Sequence, residues 1–273
     1  MSKIITADHT ELYVKDWGTG QPVILIHGWP LSSDSWDDQA MALANAGYRA
    51  IAYDRRGFGR SSQPWRGFDY DTLADDLAAV IAYVGAKDAV IVGFSMGGGE
   101  VARYLSRHHG KSVAKAVLVS ASLPYRLKTG DNPLGAEQTA FDQTAQAIRD
   151  DRPKFLAGFF EKFFNVTPVA QPVSQELLEW ARSVGMQASL EATLACARSF
   201  TTTDFRAELA AFKVPTLIIH GTDDKIVPIE ASSRLTAKGI AQSFLLEYEG
   251  APHGLFATHK ARLTTDLLDF LKV

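Results

Sequence analysis

Short, nearly unbroken apolar runs rich in β-branched residues recur at 23–26, 50–53, 90–92, 116–119, 216–219 and 244–248. Between them, segments of helical period lie at 37–46, 70–84, 96–108, 230–237 and 260–271. A strand with one covered face alternates apolar and polar positions, so continuous runs predict strands covered on both faces. Their alternation with helices predicts a mostly parallel, doubly wound α/β sheet. Gly47, Gly85, Gly110 and Gly239 fall where a helix C-terminus calls for a left-handed residue. Segments 4–7 and 11–17 predict an antiparallel hairpin at the N-terminal edge of the sheet.

The rhythm breaks after Val119. From 124 to 212 no strand pattern occurs, Gly and Pro cluster at 130–135, and helical patterns follow at 137–149, 154–164, 175–184 and 190–200. Strand character returns at Val214-Pro215-Thr216-Leu217. A helical insertion between two strands of one sheet reads as a cap. The expected organisation is a single domain over 1–273, with a core at 1–123 and 213–273 and a helical cap at 124–212. No internal repeat or low-complexity tract interrupts it.

With 273 residues, 46% of them hydrophobic, the chain can bury a sizeable core. The formal net charge is −3 and the basic residues are scattered. Nothing forms the cationic stripe that phosphate neutralisation needs, so a nucleic-acid partner is not expected. No apolar run approaches the roughly 18–20 residues that span a bilayer, and no membrane partner is expected. The segment Met1 to Asp8 turns polar before a secretory apolar region could form, which leads to a cytoplasmic expectation. The single cysteine, Cys196, suits a reducing compartment and reads as a small hydrophobe inside a helix.

The strongest chemical signal is Gly93-Phe94-Ser95-Met96-Gly97-Gly98-Gly99, directly after one strand run and opening a helix. Glycine two before and two after a serine is the nucleophile-elbow pattern, in the strand–turn–helix context it requires. Side chains at the glycine positions would strike neighbouring backbone, and the tight turn would strain Ser95 while lifting its hydroxyl above the sheet. A neutral hydroxyl needs a base. Two downstream loops follow strands: His220-Gly221-Thr222-Asp223-Asp224-Lys225-Ile226-Val227-Pro228, and Glu249-Gly250-Ala251-Pro252-His253-Gly254. Ligands gather at the carboxyl ends of parallel strands, so these loops can converge on Ser95. His253 would take and return the serine proton while an aspartate orients the imidazole, with Asp223 and Asp224 both candidates.

Other groups carry less. His220 is expected to pack or hydrogen-bond locally at its strand end. His108 and His109 close a helix and, being adjacent, point apart, so no metal pair is expected there. No cluster has zinc-ligand spacing, and the metal expectation is none. Asp54-Arg55-Arg56-Gly57-Phe58-Gly59-Arg60-Ser61 lacks the spacing of a nucleotide fingerprint and reads as a structural loop. In the cap, Phe155, Phe159 and Phe163 recur every four residues beside Phe160 and Phe164, an aromatic face that mostly reads as packing. Trp29, Phe159, Phe160, Phe200 and Val227 are the candidate substrate contacts.

Together these residues resemble one branch of the α/β-hydrolases, the cofactor-free bacterial haloperoxidases or perhydrolases and their arylesterase relatives. The resemblance covers nearly the whole chain. It rests on His27-Gly28-Trp29-Pro30, Tyr53-Asp54-Arg55-Arg56-Gly57-Phe58-Gly59, Gly93 to Gly99, Thr203-Asp204-Phe205, Val214-Pro215-Thr216, Ile219-His220-Gly221, Val227-Pro228 and Ala251-Pro252-His253-Gly254. The family's acid lies three residues before Val-Pro, which selects Asp224 here. In this fold the loop after the third strand and the residue after the nucleophile supply the oxyanion-hole amides, which implies the backbone N–H groups of Trp29 and Met96.

The resemblance further implies hydrolysis of aryl and short-acyl esters through an acyl-enzyme, without a cofactor. It implies peracid formation from hydrogen peroxide and a carboxylic acid as a side reaction, and a homo-oligomer. Pro30 restricts Trp29 to extended geometry, and the Trp29–Pro30 bond is a candidate cis peptide. Pro30 is therefore a candidate for tuning perhydrolysis, by aiming the Trp29 carbonyl at a peroxide. Dehalogenases and epoxide hydrolases place a carboxylate where Ser95 stands. A lactonase or γ-lactamase would use the same triad, and a ligand receptor on a hydrolase body is the alternative of another class.

Overall fold

The computed structural model describes residues 2–272. In chain order the elements are β1 (Ser2–Ile5), β2 (Glu11–Gly18), β3 (Pro22–Ile26), α1 (Asp37–Asn45), β4 (Arg49–Tyr53), α2 (Tyr70–Tyr83), β5 (Ala89–Phe94), α3 (Gly97–Arg107) and β6 (Val113–Val119). Then follow α4 (Gln138–Phe163), α5 (Gln175–Gln187), α6 (Leu190–Thr202), β7 (Thr216–Gly221), α7 (Ser233–Gly239), β8 (Ser243–Tyr248), α8 (Leu255–Thr258) and α9 (Lys260–Lys272). The strands form one sheet of order β1-β2-β4-β3-β5-β6-β7-β8. From β4 to β8 every pairing is parallel, whereas β1–β2 and β2–β4 are antiparallel.

Continuous apolar runs are explained by coverage on both faces. In β3, Ile24 and Ile26 join the cluster that holds Leu73 and Leu77 of α2 and Val101 and Leu105 of α3. Val23 and Leu25, one residue out of phase, join Ala40 and Leu43 of α1 and Leu263, Leu267 and Leu271 of α9. Successive side chains on a strand point to opposite faces, so β3 feeds two cores at once. The expected coverage fails at the edge strand β8, where Phe244 is 64% exposed because no further strand or helix among the described residues lies over it.

The strand order reverses around β3. The connection from β3 leads to β4 on one side, and the connection from β5 leads to β6 on the other. The loops after β3 and β5 thus leave a crevice at their carboxyl ends.

Between β6 and β7 the described chain contains three α-helices, a 3-10 turn at Arg206–Ala211 and only isolated bridges. The two helical patterns at 137–149 and 154–164 are one kinked element, α4. Asp151 leaves helical geometry at φ −158°, ψ 82°, and Pro153 follows it. Proline removes an N–H from the helix ladder and favours a break. The Asp151 carboxylate accepts the Lys154 N–H at 2.9 Å and caps the second half.

Two expectations about elements change. The helix expected at 230–237 is split by Ser232 (φ −134°, ψ −98°) into a short turn at Ile229–Ala231 and α7. Gly47, Gly85 and Gly110 are left-handed as expected, but Gly239 is not. A Cβ at Gly239 would lie 2.4 Å from Leu209 Cδ1, so close packing rather than chain reversal calls for glycine there.

Candidate active site

Four loops at the carboxyl ends of β3, β5, β7 and β8 bring together residues far apart in sequence. Ser95, immediately after β5, has φ +54°. That left-handed conformation is costly for a serine and persists only where the surroundings enforce it. A Cβ at Gly93 would meet the Gly97 carbonyl oxygen at 2.5 Å, and one at Gly97 would meet the Ile26 carbonyl oxygen at 2.8 Å. Both glycines are needed because backbone approaches backbone.

His253 Nε2 lies 2.9 Å from Ser95 Oγ, and His253 Nδ1 lies 2.6 Å from Asp224 Oδ2. With Nδ1–H donating to the carboxylate, Nε2 carries the lone pair that accepts the serine hydroxyl. The rings of Phe94 and Phe163 flank the imidazole, with centroids 5.1 and 4.9 Å away. Burial pushes His253 below the ordinary histidine value, and the charge and hydrogen bond of Asp224 oppose that shift. Burial alone would raise the Asp224 carboxyl, but His253 and the hydrogen bonds from His220 and His253 hold it well below the usual carboxylate range. Its Oδ1 also accepts the N–H groups of Ile226 (2.8 Å) and Val227 (2.7 Å). Asp224 is thus a buried, fully solvated-by-protein carboxylate beside a neutral imidazole.

Asp223 faces away. It is exposed enough to pair with Lys225 and accepts Asn165 Nδ2 at 2.7 Å. His220 does more than bond locally. Its Nδ1 meets Ser233 Oγ at 2.7 Å, and its Nε2 lies 2.8 Å from the Val227 carbonyl oxygen and 3.1 Å from Asp224 Oδ2. Its position at the end of β7, with one strand residue and the loop between it and the aspartate, was the available signal.

The amides of Trp29 and Met96 are freed by what their peptide partners do. The Gly28 carbonyl accepts His27 Nδ1 at 2.8 Å and the Leu31 N–H at 3.0 Å. In a trans peptide the N–H points opposite to the carbonyl, so the Trp29 N–H is turned the other way. The Ser95 carbonyl likewise accepts the N–H groups of Gly98 (3.1 Å) and Ser122 (3.0 Å), which turns the Met96 N–H away from α3. Neither amide has a backbone acceptor among the described residues. A Cβ at Gly28 would lie 3.0 Å from Ser95 Cβ and 2.6 Å from the Phe94 ring, so only glycine lets the two loops approach. The Trp29–Pro30 peptide is cis.

A cavity of about 1110 Å³ opens over Ser95 and His253. Trp29, Phe155, Phe159 and Phe200 line it, and the Trp29 ring packs edge-on against the three phenylalanines. Two expected substrate contacts lie elsewhere. Phe160 is 0% exposed between Phe159, Phe163 and Phe164, on the helix side turned from the cavity. Val227 is buried and reaches the site only through its backbone, which holds Asp224 and His220. Arg126 lines the cavity, and no sequence pattern drew attention to it.

The Asp54 to Ser61 loop is held by its own charges. Asp54 accepts Ser33 Oγ at 2.6 Å and Arg60 Nε at 2.8 Å, Arg55 binds Glu100, and Arg56 binds Asp76. Cys196 is buried in α6, its thiol pushed up to about 12 by burial. Among the described residues no group of three His, Cys, Asp or Glu side chains is placed to hold a metal ion. No helix among them is long and apolar enough to cross a membrane.

The chain resembles known proteins over its whole length. A bifunctional esterase/perhydrolase of Acinetobacter calcoaceticus is 42% identical, with 100% of each chain covered. A non-heme haloperoxidase of Rhodococcus erythropolis is also 42% identical, again with 100% of each covered. The crystal structure of a bromoperoxidase from Bacillus anthracis superposes with a TM-score of 0.95 at 44% identity, covering 99% of both chains. The sequence profile of the alpha/beta hydrolase fold matches residues 21–260. The protein therefore belongs to the alpha/beta hydrolase fold family.

Proposed function

We propose that the protein is a serine esterase that cleaves small aryl and short-acyl carboxylic esters, and forms peracids when peroxide replaces water. The observation that carries this reading is the continuous chain from Ser95 Oγ through His253 to Asp224 at the floor of an aromatic cavity. Ser95 Oγ attacks the ester carbonyl as its proton passes to His253 Nε2. The negative charge on the carbonyl oxygen is met by the N–H groups of Trp29 and Met96. Collapse of the tetrahedral species expels the alkoxide or phenoxide, which takes the proton from His253. Water, deprotonated by His253, then attacks the acyl-enzyme and releases the acid. Hydrogen peroxide in the same place gives the peracid and frees Ser95. Pro30, directly after Trp29, is assigned the tuning of peroxide against water.

Trp29, Phe155, Phe159 and Phe200 would hold the apolar part of the substrate, and segment 124–212 would act as the lid that carries most of that wall. A relative named as a bifunctional esterase/perhydrolase supports the pair of activities. The reduced, buried thiol of Cys196 suits a cytoplasmic protein, and a homo-oligomer is the expected assembly. Steady-state hydrolysis of phenyl acetate and peracid formation from acetate and hydrogen peroxide test the reading together. Both activities should be present in the wild type and lost in Ser95→Ala; aryl ester turnover that survives the substitution contradicts it.

A further inference from the structure

The buried arginines of the core all have carboxylates. Arg55 donates to Glu100 at 2.6 Å, and Arg56 to Asp76 at 2.6 Å and to Asp8 at 2.7 Å. Arg126, half-buried in the wall of the cavity that holds Ser95 and His253, differs. Its Nη2 donates to the Ile226 carbonyl at 3.0 Å, and its guanidinium lies 5.9 Å from the centre of the Phe141 ring. No carboxylate pairs with it among the described residues. A guanidinium has five N–H donors in a planar fork, and those not used on Ile226 are available to an acceptor in the cavity that Arg126 lines. Burial lowers its proton affinity from the ordinary arginine value while the charge of Asp224 works the other way. It remains a cation at any working pH.

The cavity around it favours the same sign. Arg149, Lys154, Lys162 and Arg198 also line it, with no carboxylate paired to them among the described residues, against three aspartates. Two of those aspartates accept from glutamine side chains, and the third caps the Lys154 amide. A chain of net charge −3 thus places an excess of positive charge around one opening. Such a field concentrates anions at a cleft.

We propose that Arg126 selects esters that carry a second, free carboxylate, which the guanidinium grips as a fork while Ser95 attacks the ester carbonyl. This rests on the esterase reading and names its substrate class: half-esters of dicarboxylic acids, or esters of carboxylate-bearing phenols. A purely structural Arg126 would tie the β6–α4 loop to the Asp224 loop through Ile226 and would alter all esters alike. A substrate-gripping Arg126 alters anionic esters selectively.

Two matched pairs of substrates separate these roles. Monophenyl adipate against methyl phenyl adipate places the carboxylate on the acyl side, and 4-acetoxybenzoate against its methyl ester places it on the leaving group. For each pair the ratio of kcat/KM, anionic over neutral, is measured in wild type, Arg126→Met and Arg126→Gln. In at least one pair the ratio should fall about tenfold or more in both variants, chiefly through KM, as loss of a charge-assisted bidentate contact requires. The pair that responds identifies the side on which the carboxylate sits. A change smaller than tenfold in both pairs overturns the proposal. Arg126→Gln retains a donor for Ile226, so the ratio can still be read if Arg126→Met does not fold. Failure of the esterase reading gives a different result, turnover of the neutral esters that Ser95→Ala leaves intact.

Discussion

His27 donates from Nδ1 to the carbonyl oxygen of Gly28 at 2.8 Å, and that bond sets the direction of the Trp29 amide through the shared peptide plane. The other ring nitrogen, Nε2, accepts the Arg55 N–H at 3.0 Å. Burial, with the nearby Arg55 charge, pushes the imidazole down to about 3, so it stays neutral and keeps this tautomer across the working pH range. Replacing His27 with Leu leaves the Gly28 carbonyl with the Leu31 N–H alone and orphans the Arg55 amide. The expected result is a fall in kcat for aryl acetates of about tenfold or more, since misaiming the amide proposed as an oxyanion donor approaches the loss of one. KM should change little. The buried unsatisfied amide should also cost about 1–3 kcal/mol in unfolding by denaturant. Undiminished kcat in the folded variant would show that the Trp29 amide needs no such support.

Asp224 and Asp223 are adjacent in sequence and opposite in environment. Asp224 accepts four hydrogen bonds, two of them from histidines, while Asp223 meets solvent, Lys225 and Asn165. Asp224→Asn should lower kcat by about 10⁴-fold, because the amide favours the wrong histidine tautomer. Asp223→Asn should change it by less than about threefold, as solvent-facing substitutions generally do. Comparable losses in two folded variants would contradict the assignment of Asp224.

The acid limb of the pH profile follows from His253. As the proposed general base it must be unprotonated, and burial holds its pKa below the ordinary 6.5 in the free enzyme. Activity is therefore full above that pKa and is lost as pH falls through it. The profile of kcat/KM, which reports the free enzyme, should have its acidic midpoint below pH 6.5. A midpoint at or above that value in a neutral ester would contradict a desolvated base.

Phe159 and Phe160 are neighbours on α4 with different surroundings. Phe160→Ala opens a void in a closed aromatic cluster and should reduce stability by about 3–5 kcal/mol. Phe159→Ala enlarges the cavity wall and should act mainly on KM for aryl esters. Thermal or denaturant unfolding beside steady-state kinetics on both variants distinguishes them. A reversed ranking would exchange their positions relative to the cavity.

The doubly wound sheet was legible because strands such as 23–26 must satisfy two cores, which leaves no polar position in the pattern. Ser95 was legible because a nucleophile turn demands glycine at fixed offsets within a few residues. The roles of His27, His220 and Arg126 were not, since each depends on partners that the fold alone brings near: the Arg55 amide, Asp224 and the Ile226 carbonyl. The inward or outward direction of Phe160 was hidden for another reason. Four-residue spacing defines a helix face, but a wide aromatic face on a kinked helix covers both a closed core and an open cavity. Gly239 was misread because helix-end glycines answer both to chain reversal and to close packing, and only the Leu209 contact separates the two.

The central claim is that Ser95 is the group that bonds covalently to substrate. Its hydroxyl is the one placed 2.9 Å from His253 Nε2. The direct measurement is intact-protein and peptide mass spectrometry after treatment with a fluorophosphonate, which captures a serine activated by a base. The expected result is a single phosphonyl adduct on the peptide containing Ser95, formed in step with loss of esterase activity and absent from His253→Ala. Stoichiometric labelling at another residue, or full esterase activity in protein labelled at Ser95, would contradict it.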